Sequence, residues 1–147
     1  MSAQTASTRN SSVLSPIIAG VIAGLGGGIV FGMMMAMMGM LPMIAMLVKS
    51  QSSAVGFVVH MVISAGIGGA YGLVAARLSK TAGTAIVAGM VNGVVWWVLG
   101  ALVLMPLMLG MGEMVFKIGN DQWLSLMGHL IFGVITGLLF LPLEKRF

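Results

Sequence analysis

The sequence predicts an all-α integral membrane protein, a four-helix transmembrane bundle built from two parallel helical-hairpin repeats. Of the 147 residues, 59% are hydrophobic and only 7% are charged, and the mean hydropathy is +1.12. Soluble domains carry about 25% charged residues, so water is not the main solvent of this chain. A bilayer core of about 30 Å takes about 20 apolar residues per helix, and the chain has room for four crossings and no soluble domain.

Four apolar stretches are each long enough to form one spanning helix: 16–38, 55–76, 84–107 and 124–141. Polar residues at 50–53 and 120–122 include side chains that cap helix N-termini, so the second and fourth helices are expected to begin there. Pro42 and Pro106 stand near the far ends of the first and third helices. Because proline lacks an N–H, each is expected to bend or end its helix.

The distribution of basic residues predicts the orientation of the helices. Five of the seven Lys and Arg residues lie before the first helix, between the second and third, or after the fourth: Arg9, Arg77, Lys80, Lys145 and Arg146. Short cytoplasmic segments are enriched in Lys and Arg. We therefore predict a multi-pass protein of the inner (plasma) membrane with both termini in the cytoplasm. Residues 1–15 are predicted to be a disordered cytoplasmic tail and residues 16–147 a single transmembrane domain.

The two halves of the domain are related by a shift of 69 residues. This shift places His60 on His129 and Gly68 on Gly137, and these are the only two histidines of the chain. Sequence identity at this shift is no higher than so biased a composition gives by chance, so the prediction depends on position. The shift predicts two repeats, at about 16–78 and 84–147, related by a pseudo-twofold axis along the membrane normal.

Small residues recur every four positions in all four predicted helices, a glycine-zipper pattern. They are Gly20, Gly24, Gly28, Gly32 and Ala36; Ser64, Gly68, Gly72 and Ala76; Gly89 and Gly93; and Gly133 and Gly137. Helices in lipid associate by close packing, which small residues allow. The pattern is typical of a tight bundle with the first helix at its centre or of a homo-oligomer, and the sequence leaves both open.

His60 and His129 are the candidate site residues. Each precedes two small residues on its own helix face, by one and by two turns: Ser64 and Gly68 for the first histidine, Gly133 and Gly137 for the second. Both imidazoles are therefore expected to face neighbouring helices, roughly 8 Å below the outer membrane interface.

Two interpretations of the histidine pair stay open. An ionisable residue inside a membrane span indicates function by default, and two facing inward suit the axial ligands of a b-type haem, with the nearby glycines leaving room for the macrocycle. The other interpretation is structural, with two neutral imidazoles hydrogen-bonded to backbone groups in a tight bundle. Buried polar groups usually find such partners, so the structural interpretation is the commoner outcome.

Methionine is concentrated in the outer half of the predicted bundle, which holds 14 of the 16 residues. Met33 with Met37, or Met34 with Met38, has the one-turn spacing of a shared site, and thioether sulfur with imidazole suits Cu(I). Copper is the second candidate after haem, because methionine is also a flexible filler of cores and docking surfaces.

Several other classes of chemistry are excluded by composition. Cysteine is absent, which excludes disulfides and thiolate sites. The only acids are Glu113, Asp121 and Glu144, which form no carboxylate pair, so we predict no catalytic residues and no enzyme. The basic residues form no stripe with interleaved aromatics, which excludes nucleic acid. The expected partners are the lipid bilayer and either further copies of the chain or other subunits of a membrane complex.

Two stretches, GVVWWVLGALVLMP at 93–106 and GHLIFGVITG at 128–137, resemble segments of the YagU-like family of small multi-helix bacterial and archaeal membrane proteins. The Gly-His-Leu opening of the last helix is the nearest match. The resemblance implies location in the inner membrane, an association with acid resistance and importance of the histidine at position 129.

The sequence therefore predicts a small non-enzymatic membrane protein. Its outer-side pair, His60 and His129, either binds haem or a metal or fixes the bundle as an accessory subunit of a larger complex. The first alternative is a proton- or ion-conducting channel or transporter, for which the available lining residues are His60, His129, Asn92, Ser64 and Thr136. The second alternative is a purely structural or assembly subunit.

Overall fold

The computed structural model describes residues 3–147, with side chains from Val13 onward, and this part of the chain is helical without any strand. The helices are α1 (Ala3–Met37), α2 (Leu41–Ala45), α3 (Ser53–Leu78), α4 (Ala82–Trp96), α5 (Met105–Met108) and α6 (Asn120–Glu144). A π-helix, Trp97–Leu104, joins α4 to α5, and short 3-10 turns stand at Met46–Val48 and Gly112–Met114.

Four segments are long and apolar enough to cross a membrane: Val13–Met37, Ser53–Leu78, Ala82–Met108 and Asn120–Glu144. They confirm the four predicted spans. From Ala3 onward, the segment for which we predicted a disordered tail continues α1 as helix, and residues 1–2 lie outside the described residues. The organisation into two repeats and the orientation in the membrane stay predictions.

The helix ends follow from local side-chain chemistry. The Ser52 hydroxyl accepts a hydrogen bond from the Val55 N–H at 3.5 Å and begins α3. The Gln122 side-chain oxygen accepts the Gly119 N–H at 2.9 Å and begins α6. Pro42 stands in the first turn of α2, where its missing N–H leaves no hydrogen bond unmade. It therefore begins a new helix after α1 has ended, instead of bending α1.

The third span changes its winding before Pro106. In the π-helix Trp97–Leu104 and at its end, hydrogen bonds reach one residue further than in an α-helix, as from the Met105 N–H to the Gly100 carbonyl. Pro106 has no N–H to offer the Leu102 carbonyl four residues earlier. The Phe116 N–H, from the loop after α5, donates to that carbonyl at 3.1 Å. The returning loop therefore satisfies a backbone acceptor that proline leaves free inside a span.

The spanning helices pack in the order α3, α1, α6 and α4. The helix α1 runs antiparallel to both α3 and α6, and α4 runs antiparallel to α6. The helix α4 touches α3 only at its margin. At one end of the bundle the Ser15 hydroxyl donates to the Phe147 carbonyl at 3.0 Å, and we call this the termini end. The opposite end, with the loops 38–52 and 109–119, we call the loop end.

Glycines set the closest approach of the helices. Gly20 and Gly68 face each other's carbonyl oxygens, and a Cβ on either would overlap backbone atoms of the other helix. Gly89 and Gly133 make the same reciprocal contact between α4 and α6. The second contact is displaced by one turn from the 69-residue register, which would pair Gly89 with Gly137. Both helix pairs therefore pack backbone to backbone, the arrangement that stabilises helices in lipid.

The Gly20–Gly68 contact predicts a contrast between two glycines of α3. Gly68→Ala is expected to lower the free energy of unfolding by about 1–3 kcal/mol, because the new methyl group overlaps the α1 backbone. Gly66→Ala is the matched control, since a Cβ at Gly66 meets no atom within 4 Å. That control is expected to be neutral or to stabilise the helix by up to about 1 kcal/mol. Unfolding by SDS titration in mixed micelles measures both, and equal effects would contradict the contact.

Candidate functional site

His60 connects α3 to the backbone of α1. Its side chain is buried, and its Nε2 lies 2.9 Å from the Gly28 carbonyl oxygen. Because a carbonyl oxygen only accepts, Nε2 carries the hydrogen in this bond. The Ser64 hydroxyl lies 3.4 Å from the same nitrogen. The imidazole therefore makes a hydrogen bond between two helices, of the kind that stabilises helix pairs in membranes.

His129 makes its hydrogen bond within its own helix. Its Nδ1–H donates to the Ser125 carbonyl at 2.8 Å, one turn earlier in α6, and the Ser125 hydroxyl lies 3.3 Å from the same nitrogen. In the neutral ring this leaves Nε2 with a lone pair. The two histidines, placed on each other by the 69-residue shift, thus use opposite ring nitrogens and different kinds of partner.

Phe31 of α1 brings the two histidines into one cluster. The Phe31 ring centroid lies 5.3 Å from that of His60 and 4.9 Å from that of His129, with the ring planes at 89° and 65°. Both are edge-to-face arrangements, which aromatic rings favour. Gly128, directly before His129, makes room for this ring, because a Cβ there would overlap it. We call His60, Phe31 and His129 the histidine cluster.

The small residues of the predicted site lie against protein backbone. Gly68 faces Gly20 of α1, and Ser64 packs against Gly28. Gly133 faces Gly89 of α4. A Cβ on Gly137 would overlap the carbonyl of Ala85, also in α4. The space beside these residues, where we expected a macrocycle to fit, is therefore filled by the neighbouring helices.

The predicted methionine ligands divide between an exposed face of α1 and the apolar core at the loop end. Met33 and Met37 are 58% and 85% exposed, on the side of α1 opposite Phe31 and Met35. Met34 and Met38 are partly buried against the apolar core at the loop end, which consists of Phe31, Met35, Leu41 and Phe132. Among the described residues, no group of three or more His, Asp or Glu side chains is placed to hold a metal ion.

The arrangement does not fit a bis-histidine haem. Nε2 of His60 is engaged with the Gly28 carbonyl, and Phe31 packs against both imidazoles where a macrocycle would have to lie. Each neutral ring keeps one lone pair, on Nδ1 of His60 and on Nε2 of His129, but Phe31 packs against both rings and the neighbouring helices fill the space beside them. What the cluster does in this geometry is hold three helices together.

Sequence reasoning missed Phe31, the residue at the centre of the cluster. The available signal was that Phe31 is the only aromatic residue of the first span. The mid-span Trp97, which the sequence predicts to make packing or lipid contacts, donates its ring N–H to the Gln122 carbonyl at 3.0 Å and stacks on Trp123 at 6.2 Å. That contact fixes the third span to the start of α6.

The two histidine hydrogen bonds predict different effects of substitution. His60→Ala is expected to lower the free energy of unfolding by about 1 kcal/mol more than His129→Ala, because only His60 bonds to another helix. His60→Phe keeps an aromatic ring without a donor, so it separates the hydrogen bond from the loss of packing. SDS unfolding of the three variants is the measurement. A larger loss for His129→Ala would contradict the assignment.

Comparison of the chain with protein-family models, with curated proteins and with solved structures gave no match. Its function is therefore inferred from its own residues and their contacts.

Proposed function

We propose that this chain is a small, non-enzymatic, multi-pass membrane protein that serves as an accessory or assembly subunit, with His60 and His129 fixing the packing of its helices. The observation that carries the proposal is the hydrogen bond from His60 to the Gly28 carbonyl, made beside a phenylalanine ring that both histidines share. Hydrogen bonds and close packing are what hold helices together where water is absent.

The surroundings of the histidine cluster support a fixing role. At the loop end, Met35, Leu41 and Phe132 are buried around Phe31. Gly56 of α3 lies so close to the Leu41 carbonyl that a Cβ there would overlap it. Four helices, α1, α2, α3 and α6, therefore meet around the cluster. A subunit that presents a fixed surface to a partner needs such an anchored end.

Haem or metal binding competes for the same side chains. Axial ligation by both histidines would require His60 to leave the Gly28 carbonyl and Phe31 to leave the space beside both rings. The loss of these contacts would have to be offset by the iron–nitrogen bonds. This competition makes the spectrum of the purified protein a direct test of the proposal.

The chain extracted from its own membranes in mild detergent is expected to be colourless, both oxidised and after dithionite reduction. It is also expected to migrate with a second polypeptide at fixed stoichiometry. A Soret band that disappears in both His60→Ala and His129→Ala would contradict the proposal and establish a bis-histidine haem. Copper retained in proportion to protein and lost in Met34→Leu, with Met37→Leu as the exposed control, would contradict it as well.

A second candidate function is a narrow proton path, and a specific observation favours it. The buried polar side chains of α3, of the residue that follows it and of α6 are distributed from the loop end to the termini end: His60, Ser64, Tyr71, Ser79, Ser125 and Thr136. The Thr136 hydroxyl is fully buried without a hydrogen-bond partner among the described residues. Buried hydroxyl groups are usually satisfied, and a water molecule beside Thr136 would begin a path along this line.

If this line conducts protons, the protein reconstituted in liposomes will dissipate an imposed pH gradient. Thr136→Val, which keeps the side-chain shape and removes the hydroxyl, will then lower the flux, whereas Thr136→Ser will keep it. Fluorescence of a trapped pH indicator measures the rate against empty liposomes. A rate equal to that of empty liposomes for the unsubstituted protein would exclude this candidate.

A further inference from the structure

The charges of the chain are divided unequally between the two ends of the bundle. At the loop end, Lys49 and Lys117 are balanced by Glu113 and Asp121. The five other basic residues and the remaining acid, Glu144, belong to the termini end, which therefore carries the whole formal net charge of +4. These basic residues are Arg9, Arg77, Lys80, Lys145 and Arg146. One end of the bundle is thus basic and the other is neutral.

At the termini end, each of the four spans has a basic residue close to its limit. Arg77 lies in the last turn of α3, and Lys145 directly follows α6. Lys80 stands two residues before α4, and Arg9 stands four residues before Val13, where the apolar part of α1 begins. Helices that cross a bilayer end near the lipid headgroups. The basic residues are therefore expected at the level of the headgroups on this side of the membrane.

One ion pair joins two of the segments that carry these charges. Lys80 Nζ lies 3.8 Å from a carboxylate oxygen of Glu144, so the acid at this end is engaged with one of the five basic residues. Arg77, Lys145 and Arg146 are exposed, and no carboxylate of the described residues pairs with them. Three positive charges at this end therefore have no counter-charge in the part of the chain that the structure describes.

Exposed apolar side chains adjoin two of the unpaired charges. Leu78 directly follows Arg77 and is 59% exposed, and Phe147 directly follows Arg146 and is 56% exposed. The guanidinium group of arginine pairs with a phosphate through two parallel hydrogen bonds, and its apolar neighbour can contact an acyl chain. An anionic phospholipid carries both groups at the level where this end meets the bilayer. An acidic protein segment in water offers only the charge, so the surface fits a phospholipid better.

We propose that the termini end is a binding surface for anionic phospholipids, in which Arg77, Lys145 and Arg146 contact lipid phosphates. The ion pair of Lys80 with Glu144 joins the residues that follow α3 to the end of α6, and so holds the two parts of the surface together. A zwitterionic lipid carries its own cation beside the phosphate, whereas an anionic lipid has a net charge for these side chains to neutralise. Basic residues near an anionic membrane surface each add to its attraction.

Native mass spectrometry of the purified full chain tests this surface through the lipids that the chain retains. The probe is an equimolar mixture of dioleoyl phosphatidylglycerol and dioleoyl phosphatidylcholine, which share their acyl chains and differ in headgroup charge. The unsubstituted chain is expected to prefer phosphatidylglycerol by about tenfold or more. Lys145→Gln with Arg146→Gln is expected to lower this preference on the order of tenfold. The matched control, Lys49→Gln with Lys117→Gln, removes the same number of charges at the loop end and is expected to keep it within about twofold.

Arg77→Gln tests the part of the surface that belongs to α3. It is expected to lower the preference on the order of fivefold, which keeps the proposal testable even where the substitutions after α6 disturb the end of that helix. No preference by the unsubstituted chain, or an equal loss in the two double variants, would overturn the proposal. An unchanged preference together with loss of a stoichiometric second polypeptide in Lys145→Gln with Arg146→Gln would overturn it in favour of a protein partner.

The lipid surface goes beyond the proposed accessory function, which depends on the histidine cluster. Arg77 follows His60 by 17 residues, which is about 25 Å along α3. Substitutions at the termini end are therefore expected to leave the absorption spectrum unchanged, and substitution of His60 is expected to leave the lipid preference unchanged. Failure of the lipid surface and failure of the accessory function are thus distinguishable.

Discussion

The contact on which the rest of the structure depends is the approach of α1 to α3 at Gly20 and Gly68. Each glycine faces the backbone of the other helix, so the two helices are separated by little more than their main chains. Only at such a separation does an imidazole on α3 reach a carbonyl oxygen of α1. The hydrogen bond from His60 to Gly28 is thus a consequence of the glycine contact two turns away. In lipid, where apolar side chains gain little by leaving the solvent, both contacts contribute directly to the association of the helices.

The same packing explains the position of α4. Since α1 uses its small-residue surfaces on α3 and α6, α4 packs mainly on α6, through Gly89 and Gly133, and touches α3 only at its margin. A four-helix arrangement of this kind is closed on one side and open on the other. Most buried polar groups lie on the closed side and have partners there, whereas Asn92 lies on the open side without one.

The spans and the inward direction of the histidines could be predicted from sequence, because each depends on a local property. Hydropathy over about 20 residues identifies a span, and the four-residue spacing from His60 to Ser64 and Gly68 identifies a helix face. Which helix that face meets depends on the three-dimensional order of the helices, which periodicity does not contain. The sequence therefore could not show that Phe31 lies beside both imidazoles. Nor could it predict that the Leu102 carbonyl, for which Pro106 has no N–H, accepts from Phe116, in a loop ten residues after Pro106.

The hydrogen bonds of His60 and His129 differ in kind, so the two histidines contribute differently to the packing of the helices. A symmetric pair would use the same ring nitrogen on the same kind of acceptor, yet one ring bonds across helices and the other within its own. The glycine contacts differ in the same sense, since the second is displaced by one turn from the register of the first. In the register of the first contact, Gly93 of α4 would face the residue equivalent to Ser64. Because of the displacement, Gly93 faces the carbonyl oxygen of His129 instead. The His129 ring bonds to the Ser125 carbonyl of its own helix and packs on Phe31. A histidine side chain thus ties α1 to α3, whereas α4 and α6 are held by main-chain contact and by the hydrogen bond from Trp97 to the Gln122 carbonyl, so substitution of the histidines bears mainly on α1 and α3.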